Sequence, residues 1–519
     1  MKIIDRHNQK ALNTIIVFAF FLVLIIAGVF FHNDYGLHWD SMAQYEIGKT
    51  NIEYVLNKNK DLKNFSNRYY GPIFEMFLFA LTGNLPLREM FFWQHLITNL
   101  IFLLGLFCFY SFTTKITSDW RLGLISCLMI VLNPRIFAHS FYNTKDIPFM
   151  SLFMMCVFTM NNMVNNITFK NTLIHSITSA ILMAIRLHGV LIIFLTATMM
   201  VILLIKREYT LKKILFPIII YLSSTILFVI LFFPVLWENP ISEFLTGLRI
   251  FNDYPWLGGV VLYRGLMVNA QELPWHYAPV WILITTPIVI SGLLILGGLE
   301  LLINLFKGLS NIIINDFWFY LAVLWLGVPI IMVIILKSVL YDGWRHLFFI
   351  YPAYVLIAIY GLKKLLEIKP KINIPTNYYQ AGVFFIFLVS FIDPVFFVIK
   401  YHPFEYVYFN KFAGSEYHEI KQNYEMDYWG LSYLNAFQDL INLDNRKKMK
   451  IMVENDPGDF NLMMLTPDQR ERFIVVDDYQ EADYFITNFR WHPQDYDFPL
   501  FHSIFVEGAS INSIYNMID

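Results

Sequence analysis

Ionisable side chains gather in this chain where its apolar runs end. Asp34 and Asp40 follow the first run, Lys145 and Asp146 separate the third from the fourth, and Tyr341-Asp342-Gly343-Trp344-Arg345-His346 opens a late one. At the centre of a membrane helix a charge costs about 2.5 to 3.5 kcal/mol on insertion scales, and less near the interface, so such groups mark function. A carboxylate so placed can take a proton from a nucleophile. The planar fork of an arginine can hold two phosphate oxygens at once. Together these residues predict an active site at a membrane surface.

Asp40 lies in the stretch His32 to Gly48, where Ser41 and Gln44 have the spacing of a capping box, so a short helix is expected to start just after it. In an ordinary surface loop Asp40 would complement the helix dipole. Immediately beyond a span, beside Trp39 and Tyr45, it suits a partly desolvated general base, with Asp34 as the rival. Asn133-Pro134 breaks one span, and Lys145-Asp146-Ile147-Pro148 starts the next with proline in an early turn. Here Lys145 either snorkels while Asp146 caps the helix, or Asp146 orients a sugar, a metal or the catalytic loop. Arg186-Leu187-His188-Gly189 interrupts an apolar stretch, so Arg186 is an interfacial anchor or a second phosphate ligand beside Arg345. His346 reads as structural or as a secondary hydrogen-bond donor.

These residues need elements that carry them to one place. Hydrophobic residues make up 57% of the 519 and charged residues only 15%, which identifies a polytopic membrane protein. Windows of span length predict about eleven helices, near 14–31, 90–112, 120–133, 147–165, 172–186, 189–205, 214–236, 278–304, 316–337, 346–366 and 379–399. The first is expected to be retained rather than cleaved. Basic residues such as Lys115, Lys170, Lys206, Arg207, Lys363, Lys364 and Lys371 fall in alternate connections, which places the N-terminus in the cytoplasm and the C-terminus outside. All three cysteines lie in apolar segments, so no disulfide framework is expected.

Three regions leave the bilayer on the outer side. The first loop, 32–89, holds an apolar stretch from Ile73 to Leu81 that suits an interfacial helix. The second, about 237–277, offers Trp256, Trp275, His276 and Tyr277, as acceptor contacts or simple anchors. From residue 400 onward 10 basic residues face 20 acidic ones, which marks a boundary between a membrane domain, 1–399, and a soluble domain, 400–519. Alternation around 450–454, 473–476, 484–487 and 503–506, with a helix near 432–442, predicts a small extracytoplasmic α/β domain. No inside connection is long enough for a nucleotide-binding fold, so any activated group this chain handles must arrive through or along the membrane, as a lipid-linked donor does.

The first-loop aspartates, the Asn-Pro...Lys-Asp-Ile-Pro loop, Tyr341 to His346, His402 to Asn410 and Asp427-Tyr428-Trp429-Gly430 together resemble bacterial membrane glycosyltransferases of the GT-C superfamily. The branch is that of protein O-mannosyltransferases and aminoarabinose transferases, and the resemblance covers nearly the whole chain. It implies inverting transfer of a hexose or pentose from a polyprenyl-phosphate donor to a lipid, glycan or protein acceptor of the cell envelope, on the outer face of the cytoplasmic membrane. By that resemblance Asp40, or Asp34, deprotonates the acceptor. It also implies that Arg345 lies near the donor phosphate and that Asp146 is the acidic residue of a later outer loop; His346 and Arg186 are further candidates for the phosphate, and Lys145, Asp146, His188, Tyr341 and Asp342 are candidate substrate contacts. Members of the branch often carry an Asp-Glu pair where this chain has Asp40-Ser41, so the divalent metal such a pair would help hold lacks one ligand here.

The rival class is a transporter or flippase for a lipid-linked sugar, whose charges would spread toward the bilayer midplane rather than cluster at one end. A noncatalytic membrane scaffold would leave the loop charges unexplained. Nucleic-acid binding has no support at a formal net charge of −2 with no exposed basic stripe.

Overall fold

Long uncharged runs satisfy their own backbone by forming helices, and helices dominate this chain. The computed structural model describes residues 2–58, 61–252, 259–308, 316–369 and 375–518, the side chains of 2–10 and 251–252 excepted. Trp256 and Lys371 lie outside the described residues. Helix α1 (Lys2–Phe31) leads into a loop and the helices α2 (Ser41–Val55) and α3 (Ile73–Thr82). Then follow α4 (Leu87–Thr117), α5 (Trp120–Val131), α6 (Pro134–Tyr142), α7 (Asp146–Asn165), α8 (Phe169–Ile185) and α9 (Leu191–Ile205). After α10 (Leu211–Phe232) and α11 (Pro240–Asn252) a hairpin pairs β1 (Val260–Tyr263) with β2 (Leu266–Asn269). The bundle closes with α12 (Tyr277–Thr285), α13 (Ile288–Phe306), α14 (Phe317–Leu336), α15 (Tyr351–Glu367), α16 (Thr376–Val389) and α17 (Ile392–Tyr401).

Among the described residues nine helices are long and apolar enough to cross a membrane, or ten if α5 and α6, bent by 75° at Asn133, count as one broken span. This is the framework of a multi-pass membrane protein, with fewer straight spans than the eleven windows suggested. The expected span 172–186 is α8, only 17 residues long, and its row Thr172, His175, Ser176 and Ser179 is buried. His175 bonds Thr159 and Thr196, each at 3.0 Å, so the buried face of α8 carries satisfied polar groups while Phe169 and Ile174 stay exposed. The window 278–304 is broken at Thr286-Pro287 into α12 and α13. Asn410, from the segment after α17, donates to the freed carbonyls of Leu283 at 2.7 Å and Thr286 at 2.6 Å. Almost none of Ala11–Phe31 in α1 is buried.

Beyond α17 the chain forms a small domain with a five-stranded sheet ordered β4-β3-β5-β7-β6. Its strands are β3 (Met449–Val453), β4 (Phe473–Val475), β5 (Tyr484–Thr487), β6 (Leu500–Val506) and β7 (Ala509–Asn516), with a helix at Tyr433–Leu443. β3 pairs in parallel with β4 and β5, while β7 runs antiparallel to both β5 and β6. The first four alternating segments therefore fold as strands close to their expected bounds, and the β7 strand is an addition.

The domain rests on the first loop. Asn461 bonds both the N–H and the carbonyl of Leu37 at 2.8 Å, and Trp39 N–H donates to the Trp429 carbonyl at 3.2 Å. Gly36 is needed there, because a Cβ at that position would stand 2.2 Å from Asn461 Oδ1. The second loop joins the same assembly where Tyr263 bridges to Tyr424. All three non-spanning regions thus meet on one side of the helical layer.

Candidate active site

The helix after Asp40 forms, but not through a capping box. Asp40 itself takes the N-cap position and makes no side-chain cap bond, Ser41 Oγ accepts from His38 N–H at 3.0 Å, and Gln44 Oε1 accepts from Thr144. The Asp40 carboxylate turns instead to Arg345, 3.2 Å away. Its backbone N–H donates to His38 Nδ1 at 3.1 Å, and His38 Nε2 donates to the Tyr142 carbonyl at 3.1 Å. These two bonds fix one neutral tautomer of His38, and burial holds its pKa down at about 3. The ring stacks on Trp429 at 4.2 Å.

Arg345 is buried and meets three carboxylates. Besides Asp40 it reaches Asp146 at 3.3 Å and Asp342 at 3.0 Å, and its guanidinium lies 4.6 Å from the centre of the Trp429 ring. Asp146 opens α7 and also accepts from Arg186 and from Asn143 Nδ2 at 3.0 Å. Asp342 sits at φ +57° ahead of Gly343 at +69°, a left-handed turn that aspartate tolerates better than bulky residues do. That turn brings the Asp342 carboxylate to Arg345, to Trp429 Nε1 at 2.9 Å and to Arg490 at 2.8 Å. Asp40, Asp146 and Asp342 therefore balance Arg186, Arg345 and Arg490.

Lys145 does not snorkel. It is buried with its ammonium 2.6 Å from the Gly71 carbonyl and 3.4 Å from Glu75. Burial pushes the Glu75 carboxyl up and the Lys145 ammonium down, with each partner pulling the other back. Burial also raises the Asp40 carboxyl above its ordinary range, against the opposing pull of Arg345.

These groups cap a cavity of about 670 Å³. Its polar end includes Asp40, Gln44, Lys145, Arg186, Arg345 and His346, with His188 and Tyr341 also on its lining. Away from that end the wall is apolar, with Leu191 and Phe194 of α9 facing Val328, Met332, Val333 and Leu336 of α14. Seven of the residues expected from the sequence line the cavity, Asp40, Lys145, Arg186, His188, Tyr341, Arg345 and His346, and Asp146 holds two of its arginines from behind. Asp342 lies outside the lining, its carboxylate taken up by Arg345, Arg490 and Trp429. Asp34 is also elsewhere, 2.9 Å from His402, so of the two rival bases only Asp40 faces the cavity.

Glu75 and Arg490 were not singled out from sequence. A lone carboxylate in the apolar stretch Ile73 to Leu81 was a signal for the first. Arg490 carried none, being one basic residue in an acidic C-terminal domain. Among the described residues no group of three or more His, Cys, Asp or Glu side chains is arranged to hold a metal ion. No protein-family model and no curated protein matches this chain.

Proposed function

We propose that this protein is an inverting glycosyltransferase that moves a sugar from a polyprenyl-phosphate donor to a cell-envelope acceptor at the outer face of the cytoplasmic membrane. The observation that carries this reading is the shape of the large cavity: a head of arginine, lysine and aspartate continuous with an apolar wall between two helices. A phosphate-headed lipid has the complementary distribution, while a soluble nucleotide sugar would waste the apolar part.

The chemistry follows from the charge balance. Arg345 is already saturated by carboxylates, so an incoming donor phosphate must displace one of them. Asp146 and Asp342 are buried with side chains 2% and 3% exposed, whereas Asp40 is 31% exposed and is the one free to yield. Exchange of phosphate for Asp40 on Arg345 releases that carboxylate from its cation and makes it a stronger base. Asp40 then takes the proton of the acceptor hydroxyl as the acceptor oxygen bonds to the anomeric carbon. The bond from that carbon to the phosphate oxygen breaks on the opposite face, and polyprenyl phosphate departs with its charge held by Arg345 and Arg186.

The test is reconstitution of the purified full chain with a radiolabelled polyprenyl-phosphate sugar and membrane-extracted acceptors. Labelled product with a new glycosidic bond, greatly reduced but not abolished in Arg345→Gln, is the expected result. Movement of intact donor across the vesicle with no new product would instead make the protein a transporter.

A further inference from the structure

The C-terminal domain contributes a charged contact, not just cover, to the network behind the polar end of the cavity. Arg490 stands between β5 and β6 in a loop whose neighbours Phe489 and Trp491 both take positive φ, +60° and +64°, and its side chain is buried. One Nη donates to Asp342 Oδ1 at 2.8 Å and the other to the Tyr428 carbonyl. The other carboxylate oxygen of Asp342, Oδ2, accepts from Trp429 Nε1 at 2.9 Å and from Arg345 at 3.0 and 3.1 Å. The same arginine lies 5.2 Å over the ring of Trp39, the residue before Asp40, and Trp491 meets that ring at 5.6 Å. A domain that only capped the bundle would bury apolar surface at this junction. Here it buries a bonded Arg-Asp-Arg chain that ends on the cavity lining, together with an aromatic clamp on the loop that bears Asp40.

We infer that Arg490 and Trp429 are positioning residues that hold Arg345, through Asp342, and the Asp40 loop, through Trp39, in the mutual register that receives the donor phosphate. This inference rests on the transferase reading above. The physical reason is preorganisation: an arginine left to its own rotamers loses that freedom when it binds phosphate, whereas one already fixed by a bonded carboxylate does not. Arg490 touches neither substrate nor the reacting atoms and acts only through its neighbours.

The experiment uses the full chain in lipid nanodiscs and compares wild type with Arg490→Gln, Arg490→Lys, Trp429→Phe and Arg345→Gln. Binding of a long-chain polyprenyl phosphate is measured alone, and KM for donor and for acceptor are measured separately. Trp429→Phe keeps an aromatic ring beside His38 while removing the N–H to Asp342 and part of the buried indole, so it serves as a second variant should Arg490→Gln fold poorly. Expected are a loss of about tenfold in lipid-phosphate affinity for Arg490→Gln and about threefold for Trp429→Phe, partial rescue by Arg490→Lys, and an unchanged acceptor KM. Wild-type affinity and donor KM in both Arg490→Gln and Trp429→Phe, with Arg345→Gln defective, would overturn this inference alone. Failure of wild type itself to bind polyprenyl phosphate would overturn it together with the transferase reading.

Discussion

Asp40 sits between two demands, close enough to Arg345 to be held and exposed enough to be released. Removing its charge should stop proton transfer, so Asp40→Asn is expected to lower kcat by about a hundredfold or more while donor binding persists. Because burial raises the Asp40 carboxyl and the base must be ionised, activity should fall with decreasing pH on a limb above the ordinary aspartate range. Arg345 opposes that rise, so Arg345→Gln should shift the limb further upward; kcat/KM against pH for residual activity reads both effects. The carboxylate after the first apolar run and the arginine before a late one were legible because charge beside a span is costly and therefore conspicuous. Arg490 was not legible, since its role exists only through contacts with Asp342 and Trp39, far away in the chain.

At the scale of elements, α9 and α14 supply the apolar wall with no polar group to advertise it. Widening one side chain there should block the lipid and spare the head group. Val333→Trp is therefore expected to raise KM for long-chain donors by about tenfold or more and to affect short-chain donors less. A chain-length series of donors would separate this from a general loss of activity. α13 and α15 cross backbone to backbone, where a Cβ at Gly297 would lie 2.1 Å from the Ile357 carbonyl and one at Gly361 2.3 Å from that of Leu293. Gly297→Val should force the pair apart at a cost of about 1 to 3 kcal/mol, seen as a lower thermal midpoint in detergent. The window 278–304 read as one span because its hydropathy runs through Thr286-Pro287, and the break becomes affordable only when Asn410 takes up the freed carbonyls. β7 escaped notice for a related reason. It lies between β5 and β6, and its buried Asn512 and Ser513 interrupt the apolar alternation that exposed the other strands.

Across the whole molecule, distant parts of the chain are joined by polar contacts that composition cannot reveal, such as Leu37 with Asn461, 424 positions apart. His402 is another such joint, bonded to Asp34 at 2.9 Å and to Glu405 at 2.5 Å just beyond the last span. Burial disfavours its charge, but those two bonds prevail and raise the imidazole from 6.5 to about 9. The sign follows from linkage: the protonated ring stabilises the fold fully below about pH 6.5, and that contribution is lost as pH rises through about 9. Thermal midpoints of wild type are expected to decline across that window, and His402→Gln should flatten the decline.

The first helix offers a different lesson. From Ala11 to Phe31 its side chains meet the bundle along a narrow seam, where Phe21 packs edge-on against Phe107 and Tyr110. It behaves as a mooring line more than a wall: it leads directly into the Asp40 loop while contributing little to the interior. Substitutions on its exposed faces should accordingly be tolerated, provided length and oiliness are kept, without disturbing the residues it tethers.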